Sequence, residues 1–169
     1  MKLTKLSVFA VIMIAFSANT FAQPGVSATA TATATIITPI AISNTVNMNF
    51  GNIAVNATIG TVVLTPAGAR SVTGGCTLPT PTGTVSAASF TVSGLSGATY
   101  SITLPAAATT ITAVTSMTVD TWTSLPTPTG TLTGGSETLT VGATLHVGAS
   151  QAAGVYTSAT PFSVTVNYN

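Results

Sequence analysis

Charge is what this sequence has least of. Charged residues make up 3% of its 169 positions, three basic and two acidic. Lys2 and Lys5 sit at the extreme N-terminus, so residues 23–169 hold one base, Arg70, against Asp120 and Glu137, a formal charge of −1. Nucleic-acid binding needs several cations to displace counterions from phosphates, and a lone arginine excludes that class of partner. A surface this close to neutral also lacks the repulsion that keeps copies apart, so self-association is tolerated.

Cysteine is nearly absent as well. Cys76 stands alone, so no intramolecular disulfide can form, and stability must come from packing and ladder hydrogen bonds. The expected state of Cys76 is a buried free thiol. With one histidine, one cysteine and two acids after residue 22, a zinc shell or an oxygen-rich calcium cage has too few ligands. His146 lies between Leu145 and Val147; if these point inward, it faces solvent. Asp120 and Glu137 have no spacing that argues for a paired-carboxylate site. No Gly-x-Ser-x-Gly elbow occurs, and Gly94-Leu95-Ser96-Gly97 reads as a turn. Asn56-Ala57-Thr58 matches a glycosylation sequon that arises easily by chance in a Thr-rich chain. The expectation is a protein that is not an enzyme and uses no cofactor and no metal.

What is present begins with an export pattern. Lys2 and Lys5 precede the apolar stretch Leu6 to Phe16, and small residues follow up to Ala22. This is the order of a secretory signal peptide, with cleavage expected after Ala22. Its apolar core is shorter than the roughly 18 to 20 residues that span a bilayer. No second such stretch follows, so no transmembrane helix is expected after processing. The expected route is through the periplasm to the cell surface or the extracellular space.

Beyond the signal, Thr, Ser, Ala, Val and Gly dominate, and residues that favour long helices are few. Short alternating runs between Gly and Pro punctuation predict strands at Gly60–Thr65, Ser89–Val92, Tyr100–Leu104, Thr110–Val119, Glu137–Val141, Thr144–Val147 and Phe162–Tyr168. The predicted class is all-β, a sandwich or barrel. The last run places Phe162, Val164, Val166 and Tyr168 on one face, and its deletion is expected to unfold the domain. Leu-Pro-Thr-Pro-Thr-Gly-Thr occurs at 78–84 and again at 125–131. Two copies make no solenoid, and their prolines keep both off central strands. Asp120 and Trp122 would share a strand face and form a thin lead for sugar binding, although Trp122 is expected to serve packing.

Residues 28–35 read Ala-Thr four times over, bracketed by Val26 and Ile36-Ile37. As a strand this run places Val26, Ala28, Ala30, Ala32, Ala34 and Ile36 on one face and the threonines on the other. It predicts a strand that pairs either with its own domain or with another molecule. Rows of Thr29, Thr31, Thr33 and Thr35 also raise ice binding, but no repeat period stacks them into an array.

Several motifs in order resemble an exported bacterial family, domain-of-unknown-function family 4402. They are Ile36-Ile37-Thr38-Pro39-Ile40, Asn49-Phe50-Gly51, a hairpin at Val141-Gly142-Ala143-Thr144-Leu145, Ala153-Gly154-Val155-Tyr156, and Val164-Thr165-Val166-Asn167-Tyr168. More distantly the chain is similar to spore-coat-U-like and other chaperone-usher pilins. That similarity implies an immunoglobulin-like, pilin-like sandwich of about seven to nine short strands that receives a strand from the N-terminal extension of the next subunit. Tyr168 stands where such pilins place a penultimate aromatic. The chain departs from them in lacking the disulfide and in placing Gly154 two residues early. The implied organisation is a signal peptide at 1–22, an extension or donor-type strand at 23–38 and a sandwich at 39–169. The implied role is a structural subunit of a filament, fimbria or coat, with a periplasmic chaperone and outer-membrane usher as partners. A self-contained secreted module, an adhesin or matrix component, is the alternative.

Overall fold

A computed structural model describes residues 24–169, so the expected signal peptide lies outside the described residues. The chain divides into a leading segment that ends at Thr35 and a domain from Ile36 to Asn169. In the described part of the leading segment the backbone forms no strand and every residue is exposed. Alternation gave this run two faces but no partner, and a strand exists only as half of a ladder.

The domain is an all-β sandwich. Its strands are β1 (Ala41–Val46), β2 (Ala54–Leu64), β3 (Arg70–Thr77), β4 (Ala88–Ser93), β5 (Thr99–Thr103), β6 (Thr109–Thr112), β7 (Ser116–Leu125), β8 (Thr129–Thr131), β9 (Ser136–Val147) and β10 (Thr165–Tyr168). All pairing is antiparallel. The larger sheet runs β1-β4-β9-β2-β3, with β7 on the other flank of β9 and β6 beyond β7; the smaller runs β10-β5-β8.

β9 is the spine. The two runs expected at Glu137–Val141 and Thr144–Val147, with a hairpin between them, are one continuous strand. Gly142 is not a turn. It marks the point where one neighbour gives way to another, since β4 pairs with Ser136–Val141 and β2 with Ala143–Val147. A Cβ at Gly142 would lie 2.2 Å from the Leu64 carbonyl oxygen, so close approach of the β2 end requires glycine here.

The run expected as one strand at Thr110–Val119 is instead the β6–β7 hairpin, closed at Thr112 opposite Ser116. Its turn, Ala113-Val114-Thr115, lacks Gly, Pro, Asn and Asp, and so carried no local signal. Two hydrophobic clusters lie along β9. Val92, Tyr100, Leu132, Leu139, Val141 and Val166 belong to one, and Val62, Met117, Val119, Ala143, Leu145 and Val147 to the other. Trp122 packs against both and stacks on Phe162 at 4.4 Å.

Asp120 and Trp122 do not share a face. A bulge interrupts β7 between Asp120 and Thr123, and Thr121 takes φ +51°. The extra residue reverses the alternation, turning Trp122 into the core while Asp120 stays outside.

Candidate assembly interface

The run expected as a strand at Phe162–Tyr168 is one only over Thr165–Tyr168, β10, although its faces alternate as expected from Phe162 onward. Val164 and Val166 are buried, Phe162 and Tyr168 half-buried, and Thr165 and Asn167 exposed. Its ladder with β5 pairs Val166 with Ile102 and Tyr168 with Tyr100 without a break. β5 is its one ladder partner, so its other side is an open sheet edge. In an antiparallel strand alternate residues direct both amide and carbonyl to one side, and on this side they pair with no strand, although the start of β1 lies near.

The Tyr168 hydroxyl joins three pieces of chain. It accepts from the Leu95 amide at 2.6 Å and donates to the Thr38 carbonyl at 2.8 Å. Gly94 makes room for it, since a Cβ there would come within 2.1 Å of the hydroxyl oxygen. The chain just ahead of β1 is thereby fixed beside the last strand. Nothing local in the sequence signals this latch, because its three parts are far apart in the chain.

Upstream of that point the candidate residues are presented to solvent. Val26 is 97% and Ile36 94% exposed, and Ala28, Ala30, Ala32 and Ala34 between them are exposed as well. No ionisable side chain occurs from Leu6 to Ala69. The large aliphatic ends of the run therefore meet water at a cost of roughly 1.5 to 3 kcal/mol each relative to burial.

The few ionisable groups are placed elsewhere. His146 faces outward, and its Nε2 lies 2.8 Å from the Asp120 carboxylate across the outer face of the larger sheet. The two sit on a diagonal, since Asp120 opposes Thr144 and His146 opposes Thr118. Hydrogen bonds from His146 and from the Thr121 hydroxyl hold the Asp120 carboxyl below its ordinary value. Glu137 accepts from the Tyr100 hydroxyl at 2.9 Å and the Thr131 amide at 2.8 Å. Burial first, and then the hydrogen bond to Glu137, push the Tyr100 phenol well above its ordinary value. Arg70 donates to the carbonyls of Phe50 and Asn52 and so pins the segment between β1 and β2. Cys76 is a buried free thiol, raised by that burial. Among the described residues no three of His, Cys, Asp and Glu gather as a metal site, and no helix is long and apolar enough to cross a membrane.

Residues 40–168 match the family described as Domain of unknown function (DUF4402). The chain belongs to this family. The match begins near β1 and runs to Tyr168, so the family's domain takes in the open-edged strand, while the alternating run lies ahead of it. No curated protein and no solved structure matches the chain.

Proposed function

We propose that this DUF4402 chain is a non-enzymatic, secreted structural subunit of a cell-surface filament, fimbria or coat, assembled by addition of its N-terminal strand to a neighbouring copy. One observation carries the reading: an exposed, uncharged segment of strict two-residue period precedes a domain whose last strand has a free edge. Strand addition uses such a pair, with backbone hydrogen bonds giving affinity and alternate side chains giving fit. A head-to-tail contact of this kind does not close on itself and so propagates. The pilin-like role agrees with the export pattern of residues 1–22, and a periplasmic chaperone and outer-membrane usher are its natural partners.

The test compares the mature chain with one lacking residues 23–37, by electron microscopy and light scattering. Multimers that require the segment are expected. Identical monomers from both chains would overturn the reading and favour a self-contained surface module.

A further inference from the structure

The four most exposed large apolar side chains of the domain are Ile36 at 94%, Val155 at 86%, Val114 at 81% and Ile59 at 71%. Single exposed apolar residues are ordinary on a protein surface, but these four are sorted to two opposite ends. β9 measures the length of the larger sheet, from Ser136 to Val147. Ser136 pairs with Ser93 and Ser93 with Ala41, and just outside those strands the Tyr168 hydroxyl ties Thr38 to Leu95. Ile36, Ile37 and Leu95 therefore lie at the Ser136 end. At the Val147 end Gly60 pairs with Val147 and Thr118 with His146, which places Ile59 and the β6–β7 turn with Val114 just beyond β9. Val155 joins them, because Thr157 bridges Thr112 at the foot of that turn.

The Val147 end is built to be rigid. The Gln151 amide donates to the Thr115 hydroxyl at 2.6 Å and to the Tyr156 hydroxyl at 3.1 Å, and Tyr156 donates to the Ala152 carbonyl at 2.8 Å. The turn carrying Val114 and the loop carrying Val155 are thereby locked together. Ile59 is raised where β2 loses register against β3 after Val55, and the Asn56 side chain caps the Thr58 amide at 2.8 Å. Apolar side chains held on a fixed backbone lose little further freedom when another surface covers them. The acidic and basic side chains nearest the two ends are already engaged, His146 with Asp120 and Glu137 with Tyr100 and Thr131.

Resting on the strand-addition reading, we infer that the end formed by Ile59, Val114 and Val155 is a second, side-chain interface whose occupant is the Ile36–Ile37 end of the next copy's domain. The occupant follows from how the chain is joined. The alternating run ends at Ile36 and the domain begins there, with no linker between. A copy whose run is held by a neighbour brings its own Ile36 end against that neighbour. Direction decides which end it meets. From the Thr112 bridge at Thr157 the chain runs through the last strand to Tyr168, that is, from the Val155 end to the Ile36 end, and every strand pair in the domain is antiparallel. A run laid antiparallel along that strand finishes at the Val155 end, so successive domains meet by unlike ends in a contact that repeats without closing. A parallel run would instead set two Ile36 ends together and leave Val114 and Val155 bare. The end contact supplies apolar burial that the alanines of the run, with one methyl each, do not.

The test traps this contact in the full mature chain, with the buried Cys76 left in place. Chains carrying Ile37→Cys are mixed with chains carrying Val155→Cys under mild oxidation, and each is also oxidised alone. Mixed dimers are expected in excess over either like pair. Val114→Asp together with Val155→Asp should weaken multimer formation by about tenfold or more, the effect of unseating one buried valine, while Leu125→Asp on the outer face of the sheet leaves it unchanged. All three positions are exposed, so the urea midpoint should stay at the parent value in each variant. An excess of like pairs at either position would refute the inferred polarity. Multimers that need residues 23–37, yet trap at neither position and ignore both aspartates, would refute the end contact and leave strand addition standing. Monomers with and without residues 23–37 would remove the parent reading, and this contact with it.

Discussion

Asp120 and His146 are the pair that an almost uncharged chain has placed in contact, and they are on the surface. Their half-exposed hydrogen-bonded contact belongs to a class that contributes roughly 0.5 kcal/mol. The carboxyl is depressed in the folded state, so its contribution is present above the ordinary carboxylate value and is lost as pH falls through the folded one. Urea midpoints of the parent and Asp120→Asn should differ slightly at neutral pH and converge in acid. The Tyr168 hydroxyl matters more, because removing it leaves the Leu95 amide and the Thr38 carbonyl without their partner. Tyr168→Phe should cost about 1 to 2 kcal/mol in chemical denaturation while leaving the spectrum of the fold unchanged. The outward position of His146 was legible from its apolar neighbours. Its partner was not, because the Asp120 face depends on a bulge at Thr121 that no propensity encodes.

Strand type and the apolar face of β10 were readable because alternation is a local signal. Strand boundaries were not, because they depend on which neighbour is within reach. The repeated heptapeptide shows this directly. Thr129-Gly130-Thr131 of the second copy forms β8 against β5, with Gly130 lying close under the Tyr100 ring, whereas Thr82-Gly83-Thr84 of the first stays in a loop with Gly83 at φ +67°. One sequence thus takes two conformations because only one copy has a ladder partner. Gly142 misled in the opposite sense, reading as a turn when it marks a crossing of backbones. Gly142→Ala should destabilise the domain by about 3 kcal/mol, since the Leu64 carbonyl must move aside; a shift of the urea midpoint at constant slope would register it.

At the scale of the whole molecule the lack of charge governs behaviour between copies. The candidate interface residues, from Val26 to Ile36 and from Phe162 to Tyr168, carry no side chain that is charged at neutral pH. Assembly should therefore be nearly unchanged between low salt and about 1 M salt by light scattering, where an electrostatic contact would weaken through screening. The neutrality and the two-residue alternation were legible in the sequence. The unpaired side of β10 was not, because an edge is free only in relation to every other strand.

The continuity of β9 through Gly142 has a mechanical meaning. The two hydrophobic clusters hang on one unbroken backbone, with Leu139 and Val141 in the first and Ala143 and Leu145 in the second. Neither half can give way without pulling on the other, so the domain should lose both clusters in one cooperative step rather than by degrees.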